Sequence, residues 1–408
     1  MAKLIQRKCV ATCCFLLGCL CIYLALTNHF KIDQNFYRPD THYVDEDYSL
    51  LSERDVIKTY TLKEFKEKVR TDKELLARVK EQDYLLPESK LVIETYLLGL
   101  PYTFKYDSEL EEQRQQNYDI MSDVMIFLHI QKTGGSHFNR RIHKDIEKHF
   151  DCLRMSSCLP KQGHCECLNP NNNMWIYTMA YSGFKCGLHA DWTLLHACVP
   201  GLIDDIEKKK RHRRYFYFTQ LRDAVERYLS EYNFQINHNN WQGAQLGCGN
   251  LKNAKGIHVK RCFTGYKWVD VTLDKFMACK DNLATYRVTR MLADLTLAGC
   301  YKNFTDHDTM KMRAPIWLES AKRNLQSMEY FSLMEDERAS DELFTKTFGL
   351  LFKPSQEHSK STTAGGASIK MTEKQFLKVL QLSELDIHLY LFGRGLFYQR
   401  LHRTNGTK

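Results

Sequence analysis

Residues 124–150, VMIFLHIQKTGGSHFNRRIHKDIEKHF, combine a β-strand, a glycine turn and an amphipathic helix. Val124 to His129 form a short, apolar, β-prone run, as expected of a buried strand. After the turn, apolar residues recur at every fourth position, so the helix has one face to bury: they are Phe138, Ile142, Ile146 and Phe150. A strand followed directly by a helix is the repeating unit of α/β folds.

The glycine turn has the features of a phosphate-binding loop. Gly134 and Gly135 allow backbone N–H groups to approach an anion at the positive end of the following helix. A Walker A loop places its lysine after the glycines, whereas Lys132 precedes them here. The loop therefore predicts a phosphorylated ligand other than an ordinary nucleoside triphosphate. From these residues alone, a plain strand-to-helix connection remains the alternative.

Strands and helices continue to alternate towards the C-terminus. A possible strand covers 174–181 and a clear one covers 215–221, and five further segments have helical patterns: near Thr193, 224–233, 284–297, 314–327 and 372–390. The pattern predicts a central, mainly parallel sheet flanked by helices. Ligands would bind at the carboxyl ends of its strands.

The first thirty residues resemble a membrane anchor. Lys3, Arg7 and Lys8 precede an uncharged, mostly apolar stretch over 9–30. That length can span a bilayer, and basic residues place its N-terminal side in the cytosol. We expect an uncleaved signal-anchor and a type II membrane protein with a lumenal body. A cleaved signal peptide is the alternative.

The cysteines also indicate the secretory pathway. Of the 15 cysteines, five lie in or beside the apolar stretch and ten follow residue 150. An even number in a lumenal chain favours disulfides. One cluster lacks the ligand spacing of a zinc site, so no metal is expected: it contains Cys152, Cys158, His164, Cys165 and Cys167. Sequons at Asn303 and Asn405 are compatible with glycosylation.

The net charge is +9, and the densest positive run is KKKRHRR over 208–214. Such a run is often a solvated face, and the alternatives are a nuclear signal or a polyanion-binding patch. A lumenal protein cannot use a nuclear signal, and we expect no nucleic-acid partner. A polyanionic glycan is the natural partner.

Residues 31–118 are predicted to form a stem. Within it, TLKEFKEKVRTDKELLARVKEQ (61–82) reads as an amphipathic helix with dense mixed charge. This helix packs, self-associates or spaces the domain from the membrane. No catalytic pattern is present, so we expect mainly a spacer.

Five strings together resemble the heparan-sulfate 6-O-sulfotransferases: HIQKTGGS (129–136), CGLHADWT (186–193), LRDAVERYLSEY (221–232), RMLADLTLAGCY (290–301) and STTAGG (361–366). The resemblance covers roughly 124–400. It implies transfer of a sulfuryl group from 3′-phosphoadenosine 5′-phosphosulfate (PAPS) to the 6-hydroxyl of glucosamine in heparan sulfate, on a P-loop-like α/β fold without a metal. The resemblance leaves out the N-terminal tail, the anchor and most of the stem. Together with the apolar stretch, it predicts a Golgi enzyme with this organisation: a cytosolic tail 1–8, a signal-anchor 9–30, a lumenal stem 31–118, a sulfotransferase domain 119–400 and a C-terminal tail 401–408.

The resemblance also assigns a donor site. Lys132 would neutralise charge on the leaving phosphate, and the loop would hold the phosphosulfate. Arg222, whose planar fork suits phosphate, and Ser230 match the family's pair for the 3′-phosphate. The implied donor residues are His129, Gln131, Lys132, Thr133, Gly134, Gly135, Ser136, His137, Arg222, Ser230, Thr362 and Thr363.

His189 matches the family's proton acceptor, and histidine has a pKa suited to that work. His129 is the rival, but it precedes the loop at a strand end and better fits the donor side. Asp191 has no assigned role. Trp241 matches a sugar-contacting tryptophan of the family, and Phe184 stands where the family has another tryptophan.

Other positions also depart from the family pattern. Thr363 replaces an arginine, Ala224 replaces the proline after Asp223, and a basic pair is not clearly present around 163–164. The loop, the base and the 3′-phosphate pair are intact, so we predict an active enzyme, with shifted acceptor recognition as one reading of these departures. The alternatives are a PAPS-dependent sulfotransferase acting at another position or on another glycosaminoglycan, a non-catalytic heparan-binding membrane protein and, least favoured, a lumenal kinase.

Overall fold

A computed structural model describes most of the chain beyond residue 57. The described residues are 58–146, 168–178, 185–187, 189–238, 241, 245–248, 257–258, 262–263, 267–268, 270–303, 306–353, 366 and 368–405. They all belong to one compact unit, Ile57–Lys408. No helix in this part of the chain is long and apolar enough to cross a membrane. The predicted anchor at 9–30 lies outside the described residues.

The helices of the described ranges are numbered here in chain order. They are α1 Leu62–Thr71, α2 Lys73–Lys80, α3 Ser89–Leu98, α4 Ser108–Glu112, α5 Gly135–Lys144, α6 Trp192–Glu207, α7 Ala224–His238, α8 Leu273–Ala278, α9 Arg287–Leu292, α10 His307–Ser327, α11 Glu337–Phe348, α12 Glu373–Leu382 and α13 Glu384–Asn405, with a 3₁₀ turn at Leu295–Ala298. The strands are β1 Val124–Leu128, β2 Ile176–Tyr177, β3 Tyr215–Leu221, β4 Gln245–Leu246, β5 Ile257–His258 and β6 Tyr330–Leu333.

Four of these strands form a parallel sheet with the order β2-β1-β3-β6. All five residues of β1 are buried, as its apolar sequence predicts. Its register with β3 runs from Val124 beside Tyr215 to Leu128 beside Thr219, so both strands end at the same edge. The predicted α/β fold with a central parallel sheet is confirmed. A separate antiparallel pair, β4 and β5, lies outside it.

Helix α5 covers the sheet with the face that its periodicity predicts. Phe138 and Ile142 are buried on α5; Ile146 is also buried but follows the end of the helix at Lys144, and Phe150 lies outside the described residues. The ring centroid of Phe138 lies 6.2 Å from that of Phe218 on β3. Burial of this face fixes the helix, and with it the loop at its N-terminus, against the carboxyl edge of the sheet.

Residues 58–118, which the sequence assigns to the stem, are a helical layer of the folded unit. Phe65 of α1 stacks on Phe376 of α12 with ring centroids 4.0 Å apart. The Tyr96 hydroxyl of α3 donates to both carboxylate oxygens of Asp223 at 2.8 Å, and Lys66 pairs with the same carboxylate at 3.5 Å. Of the roles left open for this amphipathic segment, packing is the one observed.

The predicted helix over 372–390 is in fact two helices. Helix α12 ends at Leu382 and α13 begins at Glu384. The buried Glu384 carboxylate accepts hydrogen bonds from the backbone N–H groups of Leu85 and Leu86 at 2.8 and 2.9 Å. This contact with the N-terminal layer is a tertiary interaction that helical periodicity does not report.

Candidate active site

The loop after β1 is wound tightly by two left-handed residues. Lys132 has φ of 66° and Gly134, the N-cap of α5, has φ of 86°. The buried Thr133 hydroxyl donates to the Ile130 carbonyl at 3.0 Å, which closes the turn. No side chain caps α5, so its first N–H groups are available to an anion. The Thr133 hydroxyl therefore shapes the loop, while Ser136 is exposed in the first turn of α5.

His129 packs directly against this loop. A Cβ added at Gly135 would lie 2.6 Å from the His129 Nε2, so only glycine fits there. Burial, reinforced by the neighbouring His189, lowers the pKa of His129 to about 3. The ring centroids of His129 and His189 are 5.0 Å apart. The imidazole of His129 therefore contacts the glycine loop on one side and His189, the predicted base, on the other.

His189 lies in a constrained turn before α6. The disulfide Cys186–Cys198 ties this turn to the helix, and His189 itself has φ of 56°. Asp191 caps α6 by accepting from the Leu194 N–H at 2.9 Å, and the Tyr301 hydroxyl donates to its other oxygen at 2.7 Å. Asp191 thus anchors the helix, and both of its oxygens have partners other than His189.

The environment of His189 keeps its imidazole neutral. Burial lowers its pKa to about 4, the charge of Arg287 acts in the same direction, and a hydrogen bond to the His129 backbone and the charge of Glu231 oppose them. Its Nδ1 is buried and has no hydrogen-bond partner among the described residues. An unprotonated, constrained imidazole can accept a proton from a bound hydroxyl.

The donor-side cations lie at the carboxyl edge of β1 and β3. Arg222 is buried; it donates to the Lys132 carbonyl at 3.3 Å and pairs with Glu226 at 3.2 Å. The Lys132 Nζ lies 4.2 Å from the centre of the Phe234 ring. Burial lowers the pKa of Lys132, and Glu231 opposes this shift.

Ser230 lies on α7 against the end of the STTAGG string. A Cβ added at Gly366 would approach the Glu226 carbonyl at 2.6 Å and the Ser230 nitrogen at 3.1 Å. The last glycine of the string therefore lies against the helix that carries Ser230. Thr362, Thr363 and Phe184 lie outside the described residues.

Pattern reasoning missed a buried ion network behind these groups. Glu231, on α7, accepts hydrogen bonds from Arg287 at 2.8 Å, Arg227 at 2.5 Å and the Trp241 Nε1 at 3.1 Å. Burial alone would raise the pKa of Glu231, but the two guanidinium groups hold it at about 2. Trp241 is 8% exposed and packs against Trp268 and Phe276. The only sequence signal was the charge density of LRDAVERYLSEY.

Comparison with known proteins identifies the architecture. The family model described as "Sulfotransferase family" matches residues 120–393. The chain belongs to the sulfotransferase family. Heparan-sulfate 6-O-sulfotransferase 1 of Homo sapiens is 39% identical to this sulfotransferase over 305 residues, 73% of this chain and 72% of the human protein. Heparan-sulfate 6-O-sulfotransferase 1-B of Danio rerio is 37% identical over 304 residues, with the same coverage.

The resemblance carried by the five strings is thus confirmed. In this sulfotransferase the structure brings together the glycine loop, Lys132, Arg222 and His189 at one edge of the sheet, with Trp241 joined to them through Glu231. Gln131, whose Oε1 is buried without a partner in the described part of the chain, belongs to the same loop. His137, in the first turn of α5, lies 3.6 Å from Glu337.

The remaining predicted sites lie elsewhere. Six cysteines form the disulfides Cys186–Cys198, Cys248–Cys300 and Cys262–Cys279, while the cluster at 152–167 lies outside the described residues. Within the described ranges, no group of three or more His, Cys, Asp or Glu is arranged to hold a metal ion. Asn303 is exposed in a turn, and Asn405 ends α13.

The basic run lies at the amino end of β3, the opposite edge of the sheet from the glycine loop. Three of its arginines are engaged inside the fold: Arg211 and Arg213 bind Glu207 at 2.9 and 2.8 Å, and Arg214 binds Asp123 at 2.6 Å. The lysines at 208–210 are exposed. Exposure of these lysines is compatible with a solvated face and with a polyanion-binding patch.

Proposed function

We propose that this chain transfers a sulfuryl group from PAPS to the 6-hydroxyl of glucosamine residues in heparan sulfate. Membership of the sulfotransferase family and the identity to heparan-sulfate 6-O-sulfotransferases support the reaction class. The observation that carries the proposal is the contact of the glycine loop with the half-buried His129–His189 pair. The strand–loop–helix unit at β1 supports the finer description of a P-loop-like fold.

The residues at this edge fit the donor. Gly134 and Gly135 keep the loop free of Cβ atoms where it meets its neighbours, and the uncapped α5 presents N–H groups to an anion. When bound, PAPS would supply an activated sulfuryl group with a phosphate leaving group. Lys132 and the loop would hold the phosphosulfate. Arg222 and Ser230 would hold the 3′-phosphate, with Arg222 exchanging Glu226 for the ligand.

The remaining PAPS-binding residues are proposed from their positions in or beside the glycine loop. His129, Gln131 and Gly135 border the loop, and Ser136 and His137 lie in the first turn of α5. Thr133 would contribute its backbone N–H, because its hydroxyl is bonded to Ile130. Gly366 contacts α7 beside Ser230. Thr362 and Thr363 precede this glycine by three or four residues, and we propose that they bind the 3′-phosphate with Ser230.

His189 would act as the general base. Its low pKa keeps it unprotonated at neutral pH, so it can take the proton of the 6-hydroxyl as that oxygen bonds to sulfur and the bond to the leaving phosphate breaks. Lys132 would stabilise the negative charge that develops on the leaving phosphate. The left-handed turn and the Cys186–Cys198 bond hold the base in place.

Heparan sulfate would approach from the side of His189 and Trp241. Trp241 is largely buried, so we propose that it contacts one sugar at the edge of the site. Phe184 would replace a second indole and remove its N–H donor. We expect this difference to change the preferred uronic-acid neighbour rather than the sulfated position.

Product analysis tests this proposal. The full chain should transfer labelled sulfate from PAPS to de-6-O-sulfated heparin, and lyase digestion should release disaccharides carrying 6-O-sulfated glucosamine. Label at the 2-O position or on chondroitin, without 6-O label, would favour another sulfotransferase. Retention of heparin without any transfer would favour the non-catalytic heparan-binding protein.

We also propose a Golgi, type II location with the folded unit in the lumen. The apolar stretch at 9–30 and the three disulfides support it, because disulfides persist in oxidising compartments. In sealed Golgi vesicles the folded unit should resist added protease until detergent is present. Digestion without detergent would reject this orientation.

A further inference from the structure

One carboxylate in the structure joins several groups of the proposed site. Glu231 is 1% exposed, and its Oε1 accepts hydrogen bonds from both the Trp241 Nε1 and an Arg287 guanidinium nitrogen. Its Oε2 binds Arg227, which also donates to the Ala284 carbonyl at 2.7 Å. Residues from α7 itself, from the segment at Trp241 and from α9 therefore converge on this side chain.

Two sides of this network face functional groups. On one side, the Trp241 ring is the proposed sugar contact. On the other, the charges of Arg287 and Glu231 both act on His189, and Glu231 also acts on Lys132. Because Trp241 and Arg287 share the same oxygen, displacement of either one would disturb the other.

We propose that Glu231 is a positioning residue that holds the acceptor-contacting ring of Trp241 and the guanidinium of Arg287 in fixed register with His189. The inference rests on the proposed function, in which Trp241 contacts the acceptor sugar and His189 accepts the proton of the 6-hydroxyl. One buried carboxylate then sets both acceptor affinity and the charge environment of the base.

A stabilising role alone is a weak explanation for this network. A buried ion pair contributes little net stability relative to apolar packing, because desolvation offsets the Coulombic attraction. The Trp241 Nε1 has a charged acceptor, whereas the neighbouring Trp268 Nε1 has no partner among the described residues. The aromatic cluster thus tolerates an indole without a hydrogen bond, and the Trp241 bond serves orientation.

A pair of matched tryptophan variants tests the acceptor side. Trp241→Phe keeps an aromatic ring but loses the bond to Glu231, so KM for heparan sulfate should rise about tenfold, as for a lost hydrogen bond to a charged group, while KM for PAPS stays within twofold. Trp268→Phe removes a similar volume from the same cluster, and its acceptor KM should change less than twofold. Equal effects of the two substitutions would overturn the proposal.

The pH dependence of kcat/KM tests the base side. Among the described residues, the ring of His129 at the end of β1 lies against His189, and the charges of Arg287 from α9 and Glu231 from α7 act on it. Arg287→Met removes a positive charge and should move the acid limb to higher pH. Glu231→Gln removes a negative charge and should move it to lower pH. A purely structural network would lower activity without opposite shifts.

Folding failure does not obscure the result. Glu231→Gln leaves two buried guanidinium groups less compensated, and near-UV circular dichroism shows whether it folds; if it does not, Trp241→Phe and Arg287→Met still decide. An active wild type with indistinguishable tryptophan variants, or with an acid limb that Arg287→Met leaves in place, overturns the inference alone. A wild type that transfers no sulfate to heparan sulfate overturns the proposed function and the inference together.

Discussion

Two concentrations of positive charge lie at opposite ends of β3, and they are built differently. At the amino end, seven consecutive residues, 208–214, supply the charge. At the carboxyl end, cations from separate segments meet around the glycine loop: Lys132, Arg222, Arg227 and Arg287. The run at 208–214 is conspicuous in the sequence, but the candidate site contains the cations that are dispersed along the chain.

The difference lies in where the counter-charges are. Arginines of the dense run bind Glu207 and Asp123 within the fold, and the exposed lysines face solvent. At the carboxyl end, Glu231 compensates two buried guanidinium groups, while the first turn of α5 contains no acidic residue and no described side chain caps it. An anion therefore gains most at the carboxyl end, where cations are buried and less screened. The following tests separate the two ends.

The largest effect is expected at His189. His189→Ala removes the proposed proton acceptor and should lower kcat by about 10²–10⁴-fold, the usual range for a general base. Affinity for the donor product, measured by calorimetry, should stay within about twofold of wild type, because the loop and Arg222 are untouched. A variant that keeps its wild-type kcat would show that the proton goes elsewhere.

Lys132 and Lys209 provide a direct comparison of the two ends. Lys132→Ala should reduce kcat/KM by about 10²–10³-fold, since it removes a preorganised charge at the leaving group, and should also weaken donor binding. Lys209→Ala, at the exposed run, should change neither quantity by more than about twofold. Comparable losses from the two substitutions would contradict the assignment of the donor to the carboxyl end.

Acid should destabilise the fold through its buried histidines. His129, His189 and His388 have pKa values lowered by burial to about 3, about 4 and about 3. The unfolded chain takes up protons near pH 6.5 and the folded chain does not, so stability is full above pH 6.5 and falls towards pH 4. The slope approaches about 1.4 kcal/mol per pH unit for each histidine. Burial raises the pKa of Asp191 to about 6 and that of Glu329 to about 7, and these two groups act in the opposite sense. Urea unfolding of the wild type and of His388→Gln from pH 7.5 to 4.5 therefore measures the histidine effect as a difference; an equal pH dependence of the two proteins would refute it.

The smallest effects concern the amino end and act on stability. Arg213 is buried with its guanidinium on Glu207, so Arg213→Ala should lower the free energy of unfolding by about 3 kcal/mol. Lys208→Ala, on the exposed part of the run, should stay within about 0.5 kcal/mol. Thermal unfolding compares the pair. A destabilising Lys208→Ala would mean that the exposed lysines also have partners.

Those parts of the candidate site whose residues are adjacent in the chain could be predicted from the sequence. The glycine loop occupies one continuous stretch, 129–136, and its strand and helix carry clear periodicities. Trp241, Arg287 and Glu231 come from different segments, so no pattern in the sequence links them. Similarly, Phe65 lies in the segment predicted to be an amphipathic helix, but its partner Phe376 lies near the other end of the chain. Propensity and periodicity report local order, whereas these contacts are set by the tertiary fold.

The contact between α3 and Asp223 has a consequence for proteolytic release. Tyr96 binds the carboxylate of Asp223, which follows Arg222 and also accepts from the N–H groups of Val225 and Glu226 at the start of α7. A protease cutting before residue 58 would leave every contact of the described unit intact. A cut between Leu98 and Val124 would instead sever the covalent link to the helix that braces the 3′-phosphate anchor, and we expect the shed fragment to lose affinity for PAPS.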